Sequence, residues 1–119
     1  MSHNNDLTND YAVALKAAGA ELLAFGEWGS YQGDWVAHVR YKGREGFVRG
    51  WYGSCSGCDA FQAEMGWDDT EPDYQERLVA FGANYLEELH TKEELLAEFV
   101  PQAQWDMDAD KIVAWLNAR

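Results

Sequence analysis

The chain has 119 residues, 47% of them hydrophobic and 14% aromatic, and a formal charge of −12 from 21 acids against nine lysines and arginines. That length fits one domain, since typical domains hold about 100–150 residues, and the apolar content suffices for a core without a disulfide framework. No run of about 18 apolar residues is present, which excludes a membrane-spanning helix. The charge is uneven: residues 54–119 hold fifteen acids and four bases, a balance of −11, while residues 23–53 hold three acids and four bases, a balance of +1. Such a surface repels nucleic acid and anionic membrane and attracts basic proteins.

Residues 1–7 are polar and expected to be frayed or disordered. They show neither a basic nor an apolar segment of a secretory signal, so a cytosolic setting is expected. Thr8, Asn9 or Asp10 can cap a first helix, with Tyr11, Ala14, Leu15 and Ala18 on one face and Gly19 at its end. A first strand is expected over 22–28, followed by a Gly-rich turn over 29–34. The clearest strand covers 35–42, where Trp35, Ala37, Val39 and Tyr41 alternate with Val36, His38 and Arg40. A turn over 42–45 leads to a third strand over 47–52, with Phe47, Arg49 and Trp51 opposite Val48, Gly50 and Tyr52.

After this meander the pattern turns helical. Ser56 and Asp59 have capping-box spacing at the start of a helix to about Met65, which Gly66 ends. Pro72 suits the first turn of the next helix, expected over 73–90 with Tyr74, Leu78, Phe81, Tyr85 and Leu89 as its stripe. Gly82 in its middle costs about 1 kcal/mol relative to Ala, which implies close packing there. Thr91 and Glu94 form a second capping box before a short helix that Pro101 stops. Asp106 or Asp108 caps a last helix with Ile112, Val113 and Leu116 inward. The order predicts an α+β domain: an N-terminal helix, a three-stranded antiparallel meander, and about four helices packed on one sheet face, the other face partly open.

Two constellations bear on chemistry. Cys55 and Cys58 form a C-x-x-C at a helix start, where the positive dipole end favours thiolate. They read as structural thiols, as a thiol-redox pair, or as half of a zinc site completed by His38 or other ligands. Asp106, Asp108 and Asp110 match the first three ligands of a calcium loop, but Lys111 stands where Gly is needed and Asn117 where Glu is needed. They read as charge at a helix N-terminus. No phosphate-binding Gly loop or dinucleotide fingerprint is present, and no complete nucleophile–base–acid set emerges, so no catalytic residues are assigned.

The remaining signals concern binding. Acids cluster at Asp68, Asp69, Glu71, Asp73 and Glu76, at Glu87 and Glu88, at Glu93, Glu94 and Glu98, and at Asp106, Asp108 and Asp110. Carboxylates held on rigid helices can imitate a nucleic-acid backbone to a basic partner; the alternative is a solvated, solubilising face. Six tryptophans is a high count for this length. Most are expected in the core, with Trp28, Tyr31 and Trp67 as candidate exposed contacts.

The run Tyr52-Gly53-Ser54-Cys55-Ser56-Gly57-Cys58-Asp59-Ala60-Phe61, after a hairpin region rich in Gly and aromatics, resembles a stretch in small acidic proteins of unknown function encoded by tailed bacteriophages. The likeness covers about residues 25–66. It implies a phage accessory protein made in the host cytosol, with no catalytic residue to carry over. The expectation is a non-enzymatic inhibitor or modulator that binds a basic host or defence protein, without bound cofactor, nucleic acid or membrane. The alternatives are the thiol or zinc protein above and a structural virion or assembly component.

Overall fold

The computed structural model describes residues 3–4, 9–29, 33–53, 61, 65, 70 and 72–119. Its strands are β1 (His3–Asn4), β2 (Glu21–Gly29), β3 (Gly33–Tyr41) and β4 (Arg44–Tyr52), and its helices are α1 (Asp10–Ala17), α2 (Tyr74–Leu86), α3 (Lys92–Gln102) and α4 (Met107–Asn117). The strands form one antiparallel sheet in the order β1-β2-β3-β4. The expected α+β class, N-terminal helix and meander are all present.

Local chemistry explains the element ends. Asn9 caps α1 by accepting from the Tyr11 N–H, while its amide nitrogen donates to Glu27 on β2. Gly19 takes a φ of 104°, the left-handed exit that suits glycine. Lys42 and Gly43 both take positive φ, 52° and 77°, which is the two-residue primed turn that matches strand twist. Thr91 and Glu94 form the complete capping box of α3. Pro101 lies in the last turn of α3, so the helix runs one residue past the expected stop. Asp106 caps α4, accepting from the Asp108 N–H.

Three expectations are corrected. First, the amino-terminal stretch is not wholly frayed, because His3 and Asn4 pair with Glu27 and Gly26. Second, α2 ends at Leu86 rather than 90. The His90 N–H and C=O are exchanged with those of Phe47 at 2.7 and 2.8 Å, and a helical residue could not offer them to a strand. Third, the helices do not share one sheet face.

That third point sets the architecture. Alternation on β3 sends Trp35, Ala37 and Val39 into one cluster with Phe25, Val48, α1 and α2; Phe61 and Met65 are buried there too. Val36 goes the other way, with Ala24, Trp28 and Phe47, against Leu95 and Phe99 of α3 and Ile112, Trp115 and Leu116 of α4. Side chains alternate across a strand, so the sheet lies between two helical layers. Part of the second face stays open at the hairpin end, where Arg40 contacts Glu21 and Glu45 in solvent. Such exposed pairs contribute little, about 0–1 kcal/mol.

A tryptophan lies over a glycine on each face. A Cβ at Gly50 would come within 2.6 Å of the Trp35 indole, and one at Gly26 within 2.6 Å of the Trp28 ring. Glycine is used at these two sites for close approach rather than for unusual dihedrals.

Candidate functional site

The second face ends, beside the β2–β3 connection, in a charged cluster built on the sheet. Asp34 of β3 and Trp51 of β4 are cross-strand partners, and Arg49 follows on the same face of β4. The Arg49 guanidinium reaches Asp34 at 3.3 Å and Glu98 of α3, and its carbon sits 4.9 Å from the centre of the Phe99 ring. Its Nε is buried with no hydrogen-bond partner among the described residues. Burial pushes the Asp34 carboxyl above its ordinary value; Arg49 pulls it down, and Asp106 and Asp108 push it further up. Burial, Glu27, Asp108 and Asp34 likewise raise the phenol of Tyr52, whose O–H donates to the Trp28 carbonyl at 3.1 Å.

The α4 N-terminus therefore stands over the Asp34–Trp51 pair. The segment that leads into it carries the most exposed apolar side chains of the described residues. Trp105 is 76% exposed and Met107 78%, with Trp51 at 58% and Val100 of α3 at 49%. Trp105 and Met107 flank Asp106, Trp51 is the cross-strand partner of Asp34, and Asp106 and Asp108 act on Asp34, so these exposed apolar groups neighbour the charged cluster. Aromatic residues and Met are enriched at protein interfaces, and a rim of one charge steers oppositely charged partners.

The sequence-predicted residues are distributed differently. Trp28 is 2% exposed and packs edge-on against Trp115 at 5.7 Å, so it is a core residue and not a contact. Tyr31, Trp67, Asp68, Asp69, Glu71, Cys55 and Cys58 lie outside the described residues. Asp73 and Glu76 belong to the start of α2 in one helical layer, whereas Glu93, Glu94 and Glu98 lie on α3 in the other. Among the described residues, these acids are divided between the two layers. Glu87 and Glu88 line a groove of about 530 Å³ together with Leu86, Tyr41, Lys42 and Arg44, where the chain's own cations face them. Glu94 is taken up by its cap, which holds its carboxyl below the usual range through the Thr91 backbone N–H. Among the described acids named from the sequence, Glu98, Asp106 and Asp108 join the cluster described above.

His38 stacks on Phe47 at 4.4 Å and meets the Glu45 carboxylate at 3.0 Å. Among the described residues no group of three or more His, Cys, Asp or Glu is placed to hold a metal ion. None of the described helices is long and apolar enough to cross a membrane.

Sequence reasoning missed Trp51, Trp105, Met107, Asp34 and Arg49 as a group. One signal was available: Trp105 and Met107 flank the Asp106 cap, outside the apolar stripes of both α3 and α4. Their meeting with Asp34 and Arg49 is tertiary.

No family model, curated protein or solved structure matches this chain.

Asp34 gives a pH test. Its folded value lies above the ordinary 3.8, so the native state holds this proton more tightly than the unfolded state. The associated stability is fully present below 3.8 and is lost as pH rises through the folded value. Asp34→Asn, which mimics the protonated form, is expected to be at least as stable as wild type at neutral pH. The difference should shrink on acidification toward about pH 4. Urea unfolding at several pH values checks this; a variant weakened most at neutral pH contradicts it.

Arg49→Ala has the opposite sign. It leaves Asp34 and Glu98 without their shared cation and exposes the Phe99 ring face, at an expected cost of about 1–3 kcal/mol for a half-buried pair. The shift in urea midpoint measures it, and no shift would show that the cluster contributes nothing to folding.

Proposed function

We propose that this chain is a non-enzymatic protein-binding module, a phage-type accessory protein that modulates a basic host or defence protein. The observation that carries the reading is the exposure of Trp51, Trp105 and Met107 beside Asp34, Glu98, Asp106 and Asp108. Among the described residues most large apolar side chains fill two packed layers, whereas these stand in water. Burial raises the Asp34 carboxyl above its ordinary value, so its ionised form costs stability, a cost that a partner's cation would relieve.

The mechanism is steric and electrostatic. The acidic rim draws in a basic surface, and the aromatic centre is desolvated on contact and fixes it. Relative to the sequence expectation, the docking region moves from the acidic helices as a whole to one end of the sheet.

Capture from a bacterial lysate, with wild type beside Trp105→Ala/Met107→Ala, tests the reading. Both side chains are exposed, so the variant keeps its fold. The expected result is a basic protein retained by wild type at low salt, released at high salt, and not retained by the variant. A partner held equally by both proteins, or held regardless of salt, would overturn it.

A further inference from the structure

β4 is the last strand of the sheet, and its outer side is only partly closed. Phe47 directs its N–H and C=O out of the sheet, where both are met by His90. In an antiparallel pair, outward-pointing residues recur at every second position. Arg49 and Trp51 therefore present their backbone N–H and C=O along the same line. Among the described residues none meets them. His90 thus occupies the first position of a strand that does not continue.

We infer that the β4 edge from Arg49 to Trp51 takes up an extended basic segment of a partner protein as an added strand. The inference rests on the protein-binding reading and specifies how that surface is used. The added strand would be in line with His90, and its main chain would pair with Arg49 and Trp51. Alternate side chains would fall on the face that bears Trp51 and Glu98. An apolar side chain there covers the half-exposed Trp51 indole. A Lys or Arg there enters a field set by Asp34, Glu98, Asp106 and Asp108 against the single Arg49.

Charge also selects among occupants. A second copy paired edge to edge would bring two chains of −12 together with their acidic ends adjacent, and like charges across a strand pair are destabilising. A basic segment meets the same edge with the opposite sign. Main-chain pairing supplies affinity and the alternate side chains supply selectivity, as in other strand additions.

The test uses a capped alternating Lys–Val hexapeptide and the full chain at low salt, with amide hydrogen exchange read residue by residue. The expected result is slowed exchange at the Arg49 and Trp51 amides. Binding should weaken by at least about tenfold when the peptide's edge-facing amides are N-methylated, which removes donors without changing charge. Trp51→Pro, which deletes an outward N–H that the sheet does not use, should weaken binding similarly, and the N-methylated peptide gives the answer if that variant misfolds.

Binding that is indifferent to N-methylation and leaves both amides unprotected overturns the strand addition while leaving a docking surface in place. Absence of binding overturns both. Protection of the same amides that grows with protein concentration, without peptide, assigns the edge to a second copy and overturns the proposal.

Discussion

Trp35→Ala is expected to lower the free energy of unfolding by about 4 kcal/mol, the upper range for deleting a large buried aromatic. Trp35 is fully buried and joins three elements of one layer. Its ring centroid lies 5.1 Å from Tyr11 of α1, 5.7 Å from Phe25 of β2 and 5.1 Å from Tyr85 of α2. The cavity cannot be filled by collapse, because Gly50 beneath the indole has no side chain to move in. Trp35→Phe should cost much less. The indole Nε1 is buried with no acceptor among the described residues, so its removal deletes a donor that none of them satisfies, along with some contact area. Urea unfolding of the two variants decides; equal losses would mean that a phenyl ring restores none of the packing that the indole supplies.

Gly82→Ala is expected to cost about 2 kcal/mol although alanine is the better helix former. A Cβ at residue 82 would stand 2.1 Å from the Ala14 carbonyl oxygen and 2.6 Å from its carbon. Both are backbone atoms, so the axes of α1 and α2 must move apart to admit it. Overpacking of this kind costs about 1–3 kcal/mol or more, offset by about 1 kcal/mol of helix propensity. The loss should appear as a lower urea midpoint. An unchanged or raised midpoint would show that α1 and α2 do not meet at Gly82.

Both variants lie on the sheet face opposite the proposed docking end, and each tests the layer that supports it. Among the described residues, α1 and α2 hold the sheet from one side while α3 and α4 pack on the other and bring Glu98, Trp105 and Asp106 to its end. A loosened first layer should weaken partner binding only through the fraction unfolded.

The meander was legible because β3 and β4 alternate cleanly, and the two faces read from the sequence are the two faces observed. The capping box at Thr91 and the close approach at Gly82 were legible for the same reason: each is a local rule with a specific residue requirement. The end of α2 was not. Leu89 continues the stripe of Phe81 and Tyr85, but pairing of His90 with Phe47 overrides it, and that pairing is not visible along the chain. The placement of α3 and α4 was hidden as well. Leu95, Phe99, Ile112 and Leu116 show that each helix buries a stripe, not which sheet face receives it.

Trp28 was misread because it precedes a Gly-rich turn. The register shift between Leu22 and Ala24 resets the alternation of β2, and Gly26 leaves room for the Trp28 ring beneath Trp115. The docking residues were illegible as a set since Asp34, Arg49, Glu98 and Asp106 come from four separate elements and meet only when the second layer closes on the sheet. Net charge pointed to a basic partner but not to a location, because most of the acids that produce it are spread over both layers or answer the chain's own caps and cations.

The most direct measurement is a titration of the captured basic partner into wild type and into Asp34→Asn/Asp108→Asn, repeated across a salt series. Exposed charges are screened over about 8 Å at physiological ionic strength, so wild-type affinity should fall steeply with salt. The double variant should bind about tenfold more weakly at low salt and show a shallower salt slope. Equal affinities and equal slopes for the two proteins would contradict the account, and would place the contact away from the acidic end of the sheet.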